Sequence, residues 1–232
     1  VLLTCDHGGR DVPQAYRGLF KGAKTVLDSH RGHDIGALDV ALRMASRLSA
    51  PIVFSTVTRL LVDLNRSLDE PGVFSEFTRE LPEPERDALV AAFHRPYRES
   101  VERTVATAVA AGHRVLHVGV HSCTDALHGA TRDLDIALLF DDARVREEDF
   151  CERWRSELRR LAGDLRYRFN EPYHGADDGL TTTLRSRFAP EDYLGIEIEL
   201  RQGMVLRSSE QNAAGDLLAS ALGSCLGRSV VR

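Results

Sequence analysis

Short runs of consecutive apolar residues alternate along the chain with segments where apolar residues recur every three or four positions. The runs are rich in Val, Ile and Leu. They predict strands over residues 1–6, 51–56, 60–64, 115–121, 135–140, 166–170 and 193–200. Nearly continuous apolarity in a strand implies cover on both faces. Residues 36–48 place Leu38, Ala41, Leu42, Ala45 and Leu48 on one helical stripe, and residues 148–162 do the same with Phe150, Trp154, Leu158 and Leu161. Residues 209–226 read as a C-terminal amphipathic helix. Residues 83–111 form a long Ala- and Val-rich stretch that Pro96 kinks or divides. Strands alternating with helices predict one α/β domain over residues 1–232. Its architecture is a three-layer αβα sandwich around a central mixed, largely parallel sheet.

Polarity flips where several of these strands end. Asp6-His7-Gly8-Gly9 follow the first, Asn65-Arg66 follow LLVDL, His121-Ser122 follow VLHVGV, and Glu197, Glu199 and Arg201 close the last. Ligands bind beyond the carboxyl ends of strands in such sheets. A catalytic zinc takes three protein ligands, drawn from imidazole nitrogens and carboxylate oxygens among others. His7 and His121 are candidates for two of them, and Gly8 and Gly9 would let the backbone approach an ion closely. A carboxylate suits the third place. Asp34 in SHRGHDIGA is the first choice, with Gly36 giving the turn room; Asp6, Asp11 and Asp28 compete, and Asp34 also reads as a plain helix cap.

Glu197 and Glu199 alternate with Ile and share one face of their strand, so either can serve as a base. Arg66 offers a fork for a carboxylate, with Asn65 beside it. His94, His113, His117 and His128 read as packing or surface residues; His30, His33 and His174 fall between the two readings.

Composition narrows the partners. A net charge of −5 with scattered arginines excludes a basic nucleic-acid footprint. No apolar run approaches the roughly 20 residues of a membrane span, and no basic-then-apolar leader opens the chain. Four dispersed cysteines, without a C-x-x-C pair, fit a reducing, cytoplasmic setting; Cys5 and Cys123 read as small core residues. Oligomeric state is not legible.

The segments DHGGRDVP, SHRGHDIGA, TRLLVDLNR, FHRPYR, VGVHSCTD, TRDLDIALLF, FNEPY and IEIELRQ, in this order, resemble the N-formylglutamate amidohydrolase family. The DLNR tetrapeptide is also similar to that of zinc carboxypeptidases and aspartoacylases. The resemblance implies a phosphorylase/hydrolase-like fold and one Zn2+ ion held by His7 and His121. It makes Asn65 and Arg66 binders of a substrate carboxylate, and Glu199 the base that activates water. Carboxypeptidases place a glutamate ligand three positions after the first histidine; Arg10 stands there here, so the third ligand falls to Asp34. Arg132 or Arg59 would face the carbonyl oxygen, Tyr173 in NEPYHGADDG would cover the substrate, and Arg201 would assist in binding it. The implied activity is hydrolysis of a small N-formyl or N-acyl amino acid, N-formylglutamate-like, by zinc-activated water. The alternatives are a deacylase or peptidase of the same fold acting on another carboxylate, and a non-catalytic module that binds a small carboxylate.

Overall fold

The structure is a computed structural model that describes residues 1–127 and 129–227; His128 lies outside the described residues. In chain order the elements are β1 (Leu2–Cys5), α1 (Lys24–Leu27), α2 (Ala37–Leu48), β2 (Ile52–Phe54), α3 (Glu83–Leu89), α4 (Arg95–Ala110), β3 (Val115–Cys123), β4 (Ala126–Leu127), β5 (Ala130–Thr131), β6 (Ile136–Leu139), α5 (Val145–Leu161), β7 (Tyr167–Phe169), α6 (Leu180–Arg185), β8 (Tyr193–Arg201) and α7 (Ser208–Cys225). Six strands make one sheet in the order β2-β1-β3-β8-β6-β7, while β4 and β5 pair only with each other. β2, β1, β3 and β8 run parallel; β6 is antiparallel to β8 and parallel to β7. No helix among the described residues is long and apolar enough to cross a membrane.

Side chains alternate across a strand, so each face of this sheet has its own composition. One face carries Leu3, Cys5, Val118, Val120, Ile196 and Ile198, packed into a single core with Met44 of α2, Trp154 of α5 and Leu218 of α7. Each such side chain contributes ~1.5–3 kcal/mol on burial. The other face begins apolar, with Leu2, Val115 and Tyr193 against Tyr97, Val101 and Val105 of α4 and Leu180 and Leu184 of α6. Farther along the same strands it becomes polar. Thr4, His117, His121 and Glu199 are all buried there.

His117 belongs to this second face. Its ring nitrogens meet the hydroxyls of Thr4 (2.8 Å) and Tyr193 (2.6 Å). Burial pushes its pKa down to about 4, so the native ring stays neutral while the unfolded chain binds a proton below about pH 6.5. This contribution to stability is complete above pH 6.5 and is lost as pH falls toward 4, by about 3 kcal/mol in all. Thermal unfolding at pH 7 and pH 5 should therefore show a larger drop for the native protein than for His117→Gln. Equal drops would remove His117 from the acid sensitivity.

Two expectations are corrected. Residues 60–64 are a loop, not a strand. Their apolarity reflects burial in the second core, where Leu60, Leu61, Val62 and Leu64 are at most 5% exposed. Their backbone groups find partners without a ladder: the Thr78 hydroxyl donates to the Leu61 carbonyl (2.9 Å), and the Asp63 amide donates to the Val73 carbonyl (2.8 Å). Residues 83–111 are not one regular helix, and Pro96 lies in the first turn of α4 rather than in a helix interior. A π-turn over Val90–His94 joins α3 to α4 and ends just before it. The wider turn accommodates a ring that would clash with the carbonyl four residues back in a regular helix.

Candidate active site

β1 stops at Cys5, and His7 lies one residue beyond Asp6, itself buried and accepting a hydrogen bond from the Tyr97 hydroxyl. The next two residues cross against the end of β2. A Cβ on Gly8 would stand 2.9 Å from the Ser55 carbonyl oxygen, and one on Gly9 2.5 Å from that of Thr56. The glycines are required by this neighbouring backbone. The Asp34 amide donates to the His7 carbonyl (2.9 Å), which ties the loop before α2 to this crossing. Gly36, at φ +78° and against Val205, then turns the chain into α2. His121 arrives from β3, where its cross-strand partner is Glu199 of β8.

These placements bring His7, Asp34 and His121 together, with one candidate ligand atom from each within 4.8 Å of the others. Asp34 Oδ2 lies 2.9 Å from His121 Nδ1 and 3.5 Å from His7 Nδ1. On the far side of the His7 ring, Nε2 is 2.7 Å from Asp63 Oδ1. An ionised carboxylate only accepts, so the ring donates there and Nδ1 keeps its lone pair. That Nδ1 is buried and has no hydrogen-bond partner among the described residues. Two imidazoles, a carboxylate and an orphaned ring nitrogen fit a divalent cation.

The ionised carboxylate suits a cation, whereas both rings favour a proton that a bound cation would displace. Burial would raise the Asp34 carboxyl, yet His7 and His121 hold it well below the usual carboxylate range. Burial works against a proton on His121, but the hydrogen bond and charge of Asp34, joined by the charges of Glu197 and Asp6, together outweigh it and raise the ring to about 10. Burial and Arg59 likewise oppose protonation of His7, while Asp63 and Asp34 raise it.

Asp63 is the functional candidate that sequence reasoning missed. Arg59 reaches its Oδ2 through Nη2 (2.7 Å) and Nε (3.1 Å) and touches Asp34 Oδ1 at 3.4 Å. Its signal is its place within DLNR, two residues before Asn65. A carboxylate that orients a ligand histidine is worth about 10–100-fold in metal affinity. Asp63→Asn should lose zinc affinity by that factor in a competition titration against a chromophoric chelator. Unchanged affinity would reduce Asp63 to a packing role.

Glu199 is 6% exposed, and its Oε2 is buried without a partner. Burial pushes its pKa up to about 7, with Asp34 and Glu197 adding to the effect and His121 opposing it. A carboxyl poised near neutrality can take and return a proton. Glu197, two residues earlier on the same face, accepts from the Thr181 hydroxyl (2.8 Å).

Around these groups opens a cleft of about 470 Å³ whose lining includes Arg59, Asn65, Arg66, Arg132 and Tyr173. Arg132 Nη1 is buried and unpartnered, while its Nη2 donates to the Tyr173 hydroxyl (3.3 Å) and its guanidinium stacks 5.3 Å from that ring. Asn65 Oδ1 is occupied by the Leu180 amide (2.7 Å). The Arg66 guanidinium lies 4.0 Å from Glu70. Arg201 is not among the residues lining the cleft; Asp135 (3.0 Å) and Asp125 (3.1 Å) hold it. Of the other histidines, His30 and His174 line the cleft, whereas His33 bonds the Leu27 carbonyl and His94 the Arg66 carbonyl. Arg10 pairs with Asp28 at 2.7 Å.

Comparison with the curated proteins yields no match. Among solved structures, gene product Atu2144 from Agrobacterium tumefaciens is 31% identical over 97% of this chain and 90% of its own, with a TM-score of 0.84. An N-formylglutamate amidohydrolase from Ralstonia eutropha JMP134 shares the fold at 18% identity and a TM-score of 0.70, over 97% of this chain and 93% of its own. The family model for N-formylglutamate amidohydrolase matches residues 1–206, a span that contains every side chain of the cleft. The chain belongs to the N-formylglutamate amidohydrolase family.

Proposed function

We propose that the protein is a zinc-dependent hydrolase of the amide bond in a small N-formyl or N-acyl amino acid, with His7, Asp34 and His121 holding the ion. The observation that carries this reading is a pair of buried, unpartnered atoms, His7 Nδ1 and Glu199 Oε2, both from residues lining one cleft. Family membership supports amide hydrolysis independently.

Held by His7, Asp34 and His121, a zinc ion would supply a water with a pKa of about 7 and a Lewis acid for the amide carbonyl. Glu199 would take the water's proton on Oε2 and return it to the departing amine nitrogen, so that amide and water become carboxylate and ammonium. Arg132 Nη1 donates to the carbonyl oxygen as negative charge builds on it. Arg66 grips the carboxylate of the amino acid. Asn65 keeps Nδ2 available beside it, because Leu180 occupies only Oδ1. Tyr173, 47% exposed, stacks on Arg132 and covers it from solvent. The cysteine pattern leads us to infer a cytoplasmic setting.

The reading is tested with N-formyl, N-acetyl and dipeptide substrates assayed by release of free amine. Hydrolysis of the first two classes is expected, and inertness toward all three would overturn it. Arg66→Ala should raise KM for carboxylate-bearing substrates at least tenfold, since each charge-assisted hydrogen bond is worth about 1.5–3 kcal/mol. Unchanged KM would remove Arg66 from the substrate.

A further inference from the structure

The run FHRPYR at residues 93–98 spans the end of the π-turn and the start of α4. His94, Tyr97 and Arg98 are three and four residues apart, so they share one helix face. That face is turned to the loop that carries Asn65 and Arg66. Arg98 is half-buried, and its Nη1 is shared by three successive carbonyls of the loop: Leu64 (3.2 Å), Asn65 (2.9 Å) and Arg66 (3.0 Å). Its Nη2 donates to the Thr183 hydroxyl of α6. The buried His94 ring donates through Nε2 to the Arg66 carbonyl (2.8 Å). Tyr97, between them, donates to Asp6 and so fixes α4 against the residue before His7.

Three carbonyls converging on one nitrogen fix the peptide planes on both sides of Asn65 and of Arg66. Fixed planes set the direction in which each side chain leaves the backbone, and both side chains line the cleft. The amides of the same turn are held separately: that of Asn65 donates to Asp63 Oδ1 (3.0 Å) and that of Ser67 to Asp178 Oδ2 (2.9 Å). The carbonyls are left to Arg98 and His94. Every hydrogen bond of Arg98 among the described residues goes to a neutral oxygen, so its positive charge stands behind the loop without a carboxylate in contact.

We propose that Arg98 and His94 are positioning residues for the substrate: they clamp the backbone of residues 64–66 so that Asn65 and Arg66 are set in advance to receive a carboxylate. The proposal rests on the amide-hydrolase reading and on the place of Arg66 in it. A fork held in its bound geometry loses less freedom when the anion arrives, and its geometric selectivity for a carboxylate depends on that hold.

The test compares N-formyl-L-glutamate with its 1-amide, in which the carboxylate offered to Arg66 is made neutral. In zinc-loaded Arg98→Met, KM for the acid should rise at least about tenfold with kcat within about threefold of native, while kcat/KM for the amide changes by less than about twofold. Arg98→Met should add little to Arg66→Ala, because both act through one contact. Arg98→Lys keeps the charge without the planar fork and should recover part of the loss. His94→Phe removes one hydrogen bond and should show the same pattern at smaller size; these two variants carry the test where Arg98→Met does not fold. Unchanged KM for the acid, equal losses for acid and amide, or losses that multiply with Arg66→Ala overturn the clamp and leave amide hydrolysis standing. If neither compound is hydrolysed, their Kd values are read calorimetrically. A preference for the acid that Arg98→Met weakens then overturns the hydrolase reading and keeps the clamp, and no preference overturns both.

Discussion

Glu199→Gln is expected to reduce kcat by about 10²–10⁴-fold, the range for loss of a positioned general base, with zinc content and KM nearly unchanged. The amide is isosteric with the carboxyl but cannot accept the proton at Oε2. The native pH profile should carry an acidic limb at or below about pH 7, because burial holds Glu199 near that value and a bound cation favours its ionised form. Activity rises with pH through this limb as the base deprotonates, and the limb should vanish in the variant. Retention of activity within tenfold would move the role to Glu197, the other carboxylate on the same strand face.

Removal of the ion should have the second large effect, on both rate and stability. A chelator should abolish hydrolysis and added zinc should restore it. A ligand that binds only the native state stabilises it by about 4 kcal/mol at a thousandfold excess over Kd. For a chain of this length each kcal/mol moves Tm by about 2–4 °C, so zinc should raise Tm by about 10 °C. His121→Ala should lose that rise, because one of the three candidate ligands is gone. Full activity in protein shown by elemental analysis to be free of transition metal would end the metal reading.

Much of this site was legible because it sits where strands end. His7, His121 and Glu199 follow or close apolar runs, and period-two alternation puts Glu197 and Glu199 on one face, which the β3–β8 register makes the face of His121. Asp34 was legible from the glycine two residues later, which the turn into α2 requires. The loop at residues 60–64 was not. Its Val- and Leu-rich composition is that of a buried strand, and the groups that let it remain a loop, Thr78 and Val73, lie far along the chain. Asp63 was hidden by the same error, since in a strand its direction would have had no particular partner.

The arginines were the least legible. Nothing local distinguishes Arg132, which keeps a free donor, from Arg201, which two aspartates engage. An arginine's role depends on which carboxylates the fold delivers to it, and those carboxylates are remote in sequence.

The pairing of His121 with Glu199 in a single rung of the β3–β8 ladder also limits how chains of this kind can diverge. Inserting or deleting one residue upstream in either strand would turn its reacting side chain into the oily interior under α2, α5 and α7. Changes of length are therefore confined to the connecting loops, or must come in compensating pairs within the strands. The spacing between these two groups is inherited from the backbone and lies beyond the reach of side-chain substitution.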